Sequence, residues 1–181
     1  QIFHAQRAVE RPDPGQCTVP LRRDFNPMKI HRQLPHMFIV EWKAADFLEV
    51  RLSGTALDAT AGVALQGRNY LELCSPHEKP FFTAITRAVL DHPCGLTVKR
   101  GVILPKGEAH QLRSLSFPLA DADGKPHYIV GMMNVMRDIP LSSYDEAAHT
   151  RSVIDDFNFI DIGAGTPPLP DLPPDPERQT L

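Results

Sequence analysis

The sequence predicts an α+β domain in which a five-stranded antiparallel sheet carries its helices on one face, with an N-terminal arm and a C-terminal extension. Three observations lead there. Two apolar runs with strand periodicity lie close together near residue 40, and one amphipathic helix follows in mid-chain. Three further strand-like runs then close the core, with an Asp-Gly turn between the last two.

Met37–Ala44 and Asp46–Gly54 read as the first two strands, joined at Ala45–Asp46. In the second, Leu48, Val50 and Leu52 alternate with Glu49 and Arg51, the pattern of a half-buried strand. Gly54 suits a sharp exit from that strand, and Thr55-Ala-Leu-Asp58 is a capping signature. A short helix is therefore expected from Thr55, capped by its side chain, to about Gly62. Val63–Ser75 looks irregular, with Gly67 as a positive-φ turn. Residues 78–91 form the longest helix: Phe82, Ile85 and Val89 share a face, while Thr86, Arg87 and Asp91 are expected to face out. Strands follow at about 96–104, 109–120 and 127–137, with Asp121-Ala-Asp-Gly124 turning the last pair. Ser143-x-x-Glu146 predicts a further short helix over 143–157.

Proline marks the boundaries. Twelve of the 18 prolines lie outside residues 37–139, which divides the chain into an arm (1–36), a core (37–137) and an extension (138–181). The ending, TPPLPDLPPDPERQTL, reads as polyproline II or disorder and holds two P-x-x-P spacings. Residues 138–181 carry nine acidic and two basic side chains, so the chain's net charge of −3 hides a basic body and an acidic tail.

Composition excludes several classes. No apolar run reaches the 18 residues of a membrane span, and the first residues read as no secretory signal. A net charge of −3 argues against a nucleic-acid binder. Cys17, Cys74 and Cys94 are odd in number and widely spaced, as reduced thiols in a cytoplasmic protein would be, and no zinc-ligand spacing occurs. Hydrolase and phosphate-loop motifs are missing, and Asp155, Asp156 and Asp161 sit in the solvated acidic tail, so no catalytic residue is assigned.

The order of elements resembles the PAS fold, and particular residues carry the resemblance. Pro20-Leu-Arg22-Arg-Asp24-Phe-Asn-Pro27 leads into Leu34-Pro-His-Met-Phe38. Arg51-Leu-Ser-Gly54-Thr55, Gly62, Gly67-Arg68 and Phe117-Pro-Leu119 follow, as in a stand-alone bacterial PAS variety with an R-L-x-G-T turn. The match covers about residues 18–137. The resemblance implies a sensory module that holds a small ligand between sheet and long helix, or uses its sheet to dimerise. Flavin photoreceptors of this fold place a reactive Cys directly after Gly-Arg-Asn. Here Gly67-Arg68-Asn69 is followed by Tyr70, so a flavin photoadduct is not expected. Haem is not indicated either, because no His lies on the apolar face of the long helix.

Leu52, Leu57, Tyr70, Phe82, Ile85, Val89, Leu115 and Met133 are the candidate pocket residues; they either line a ligand cavity or simply fill the core. Arg51, Gly54, Thr55 and Gly67 are candidate fold-makers, with Arg51 a surface ion-pair partner or a cavity-mouth group. Met132, Met133 and Met136 offer an adaptable surface. Three functions are therefore carried forward: a cytoplasmic sensor that binds a small ligand, a protein-interaction module with a filled core that pairs with itself or a signalling partner, and a small isomerase- or hydrolase-like enzyme. The first is preferred, with its output passing through another protein or through residues preceding Gln1.

Overall fold

The computed structural model describes residues 19–103, 109–137 and 152–173. Its centre is a six-stranded antiparallel sheet of order β2-β1-β5-β4-β3-β6. The strands are β1 (Met37–Ala44), β2 (Phe47–Ser53), β3 (Gly95–Ile103), β4 (Ala109–Ala120), β5 (Pro126–Arg137) and β6 (Ser152–Ile160). Two helices, α1 (Thr55–Ala61) and α2 (Lys79–Asp91), lie between β2 and β3 in the chain. The expected α+β class, the five strands and both helices are all present.

The sixth strand corrects the reading of 143–157 as a helix. Residues 152–157 belong to β6, which pairs along β3 from Gly95↔Ile160 to Val102↔Ser152; the remainder of that expected helix lies outside the described residues. The sheet therefore does not stop at residue 137. Tertiary pairing decides here: Ile154 and Phe157 are buried against the core, a burial that local helix signals cannot offer. Residues before 37 also join the body, since Leu21 bridges Ala120 and the Ala120 N–H donates to the Pro20 carbonyl at 2.8 Å.

The sheet separates two cores. On the helix side, Val40, Leu48, Val50, Phe81, Phe82, Ile85, Ile129 and Phe157 join the main cluster. On the other side Met37, Ile39, Leu119 and Val130 form a second cluster, packed against Phe25, Ile30, Leu34, Leu52 and Tyr128.

A β-bulge explains why Leu52 departs from its expected face. Leu52 pairs with Ile39 and Val50 with Val40, which leaves Arg51 as the extra residue. One inserted residue flips every side chain beyond it. Leu52 therefore joins the outer cluster, while Ser53 turns toward the helices.

The strand-to-helix corner also differs in detail. Gly54, not Thr55, holds the N-cap position of α1, and no side chain caps it. Its φ of −74° is open to any residue. Glycine is needed because a Cβ there would collide with the Leu34 and Pro35 backbone. Asp58, the other half of the expected capping signature, instead accepts from the Leu65 N–H at 3.1 Å. Gly62 ends α1 with φ 71°. Gly67 (φ 81°) turns the chain back so that its N–H donates to the Val50 carbonyl at 2.8 Å. On α2, Thr86 is buried rather than outward, its hydroxyl donating to the Phe82 carbonyl.

Candidate functional site

Between the inner face of the sheet and the two helices lies a cavity of about 360 Å³. Its walls are mostly apolar. Phe38 and Val40 come from β1, Val50 from β2, Leu96 and Val98 from β3, Leu112 from β4, and Ile129 and Met133 from β5. Strand alternation selects them: every second residue faces the helices. Leu57 of α1 and Phe82, Ile85 and Thr86 of α2 close the opposite side.

Five of the eight candidate pocket residues meet here: Leu57, Tyr70, Phe82, Ile85 and Met133. Three do not. Leu52 is turned outward by the bulge. Leu115 lies on the opposite parity of β4 from Leu112, Ser114 and Ser116, and is 41% exposed on the outer face. Val89, fully buried, packs in the core one turn beyond Ile85 and outside the cavity wall. Arg51 is also outside it, with Nε 3.3 Å from Glu41 and Nη1 3.1 Å from Glu49 on the outer face.

A charged cluster stands against the cavity wall, and most of its groups went unseen in the sequence. Arg100, on β3, lines the wall and is only 8% exposed. Its guanidinium lies over the Phe82 ring, 5.1 Å from the centroid, and Nη1 is 3.9 Å from the Glu78 carboxylate. Glu78 is fully buried at the start of α2. Its Oε1 accepts from the Ser152 hydroxyl at 2.7 Å and its Oε2 from the Ser75 N–H at 3.2 Å. The sixth strand thus supplies a wall residue, Ser152, and fixes the counter-charge of Arg100. A sequence signal existed: alternation through Leu96, Val98, Arg100 and Val102 puts a cation on a buried face.

Burial alone disfavours the Arg100 cation, but Tyr70, Cys74 and Glu78 beside it more than offset this and raise its pKa. Tyr70 stands edge-on to Phe82 at 5.6 Å, and burial pushes its phenol well above the ordinary value, so it stays protonated. Asn69 positions it. The Asn69 side chain accepts from the Leu48 and Leu71 N–H groups and donates to the Asp46 carbonyl, pinning the turn at Tyr70–Leu73 against β2. Burial likewise raises the Cys74 thiol, which points at the Tyr70 carbonyl.

A sequence profile of the PAS domain matches residues 4–134, well over half of the chain. The chain belongs to the PAS domain family. No curated protein sequence matches this PAS domain. Among solved structures, a light-oxygen-voltage domain characterised with a flavin analogue is 17% identical, with a TM-score of 0.49 over 61% of this chain and 84% of that one. The Vibrio cholerae VqmA dimer is 20% identical, with a TM-score of 0.48 over 61% and 50%. A light-oxygen-voltage protein of Rhodobacter sphaeroides is 15% identical, with a TM-score of 0.46 over 66% and 71%. The cavity of this PAS domain does not fit flavin–thiol chemistry: Tyr70 follows Gly67-Arg68-Asn69, and Cys74 is not on the cavity wall. Among the described residues, no helix is long and apolar enough to cross a membrane, and no cluster of three His, Cys, Asp or Glu side chains could hold a metal.

Proposed function

We propose that this PAS domain is a sensory module whose cavity takes a small organic ligand and whose outer sheet face passes the ligand state to a partner or a second copy. The cavity carries the reading. At about 360 Å³ it falls in the range of natural ligand sites, with a mostly apolar wall in which Arg100 is the one cation among the described residues. The outer face supports the second half: Leu115, Phe117 and Met132 are 36–41% exposed next to one another on β4 and β5, and Met136 is 37% exposed further along β5.

The ligand half is tested on freshly purified protein by native mass spectrometry and by melting temperature against a metabolite panel. A ligand-bound mass, or a melting shift of several degrees with one compound class, is the expected result. Protein that carries nothing and shifts with nothing counts against it. The favoured second reading, an interaction module without a ligand, rests on the same exposed patch and predicts concentration-dependent light scattering that Met132→Asp abolishes.

A further inference from the structure

We propose that the cavity selects a small, neutral, largely apolar molecule with a single lone-pair acceptor, a carbonyl oxygen in the simplest case, which takes a hydrogen bond from the Arg100 guanidinium. This rests on the ligand-binding reading above and adds the chemical class.

Three features of the cavity lead there. First, Arg100 Nη1 is buried, belongs to a wall residue, and has no hydrogen-bond partner among the described residues. Glu78 at 3.9 Å is beyond hydrogen-bond range, and the neighbouring Cys74 sulfur is a weak acceptor. Second, both Glu78 oxygens are already engaged, by Ser152 and by the Ser75 N–H, so the carboxylate is held back from closing on the guanidinium. Third, Val98, Leu112, Ile129 and Met133 make most of the remaining wall hydrocarbon, to which Ser53, Ser114 and Ser116 add neutral hydroxyls.

These features rank the ligand classes. A pure hydrocarbon fills the apolar wall and leaves the guanidinium N–H unmade, which is expensive for a buried donor. A carboxylate satisfies the N–H but brings a second negative charge beside Glu78, whose own charge already balances Arg100, and it pays the desolvation of an anion. A neutral carbonyl gains a charge-assisted hydrogen bond and adds no net charge.

The test uses the full chain and three probes with one ring: ethylbenzene, acetophenone and benzoate, titrated by calorimetry at neutral pH. Acetophenone is expected to bind about ten- to a hundred-fold more tightly than ethylbenzene, and more tightly than benzoate. Arg100→Met, or Arg100→Met with Glu78→Gln, is expected to shrink the acetophenone preference to about twofold or less. Ethylbenzene or benzoate binding as well as acetophenone overturns the acceptor assignment and leaves ligand binding intact, as does a preference that survives loss of Arg100. Failure of all three probes to bind overturns the ligand reading and this proposal with it. The wild-type ranking decides the matter alone if the variants do not fold.

Discussion

The buried pair of Arg100 and Glu78 allows a sharp energetic test of the charged cluster. The two charges are 3.9 Å apart, with side chains 10% and 0% exposed. At an effective dielectric of about 20 their attraction is about 4 kcal/mol. Arg100→Met leaves a fully buried carboxylate without its cation, and Glu78→Gln leaves a buried guanidinium without its anion. Each single change is expected to cost about 3–5 kcal/mol. For a domain of this size that lowers the melting temperature by roughly 6–20 °C. The double variant removes both charges together and is expected to recover most of the loss, because a buried pair replaced by neutral side chains is often near neutral in stability. Urea unfolding followed by circular dichroism on all four proteins gives the coupling energy, expected at about 3 kcal/mol or more. An internal control has the same separation. Lys99 and Asp155 are also 3.9 Å apart, but 36% and 34% exposed, and their cycle is expected to give under about 1 kcal/mol. A coupling for Arg100 and Glu78 below about 0.5 kcal/mol, or no larger than the control, refutes the assignment of a buried, charge-balanced pair.

Two further predictions concern the frame. Gly54→Ala forces a Cβ against the Leu34 and Pro35 backbone and is expected to cost about 3 kcal/mol, whereas Gly62→Ala, with φ 71° and open space around it, should cost only about 1–2 kcal/mol. Thermal unfolding showing the reverse order would mean that conformational freedom, not close approach, governs the corner at Gly54. On the outer face, burial opposes the Glu41 charge, but hydrogen bonds from Lys43 and His127 and the charges of Lys43 and Arg51 overcome it and hold its pKa below 4.5. A carboxyl with a lowered folded pKa adds stability that is complete above 4.5 and is lost as pH falls through the folded value. The melting-temperature advantage of wild type over Glu41→Gln should therefore be level near neutrality and shrink on acidification below 4.5; an advantage that grows toward acid contradicts this account.

Much of this architecture was legible from local pattern alone. Alternation around Leu48 and Val50 placed the second strand, the Phe82, Ile85 and Val89 spacing placed α2, and Asp123-Gly124 placed the last hairpin at a residue with φ 81°. Such elements answer to periods of 2 and 3.6 and to turn chemistry, all of which act over a few residues. The bulge at Arg51 left no comparable mark, and a single extra residue was enough to send Leu52 to the wrong face. Leu115 shows the same limit, since strand parity is read only relative to a partner, and Ser114 and Ser116 turned out to hold the inward positions.

Local alternation could mark Arg100 as a cation on a buried face, but its partners were beyond local reading for a different reason. Glu78 and Arg100 meet because the start of α2 packs over β3, and Ser152 joins them because β6 returns to pair with β3. By itself the sequence determined the α+β elements and, through the motifs they carry, a resemblance to PAS domains, because periodicity and turn residues are local properties that survive without knowledge of partners. It placed apolar residues under the long helix that could line a cavity or fill the core. Only the tertiary structure decided that they line a cavity, and that its wall carries a guanidinium held between an aromatic ring and an occupied carboxylate. Burial and charge pairing belong to contacts between segments, and no single segment of this chain carries them.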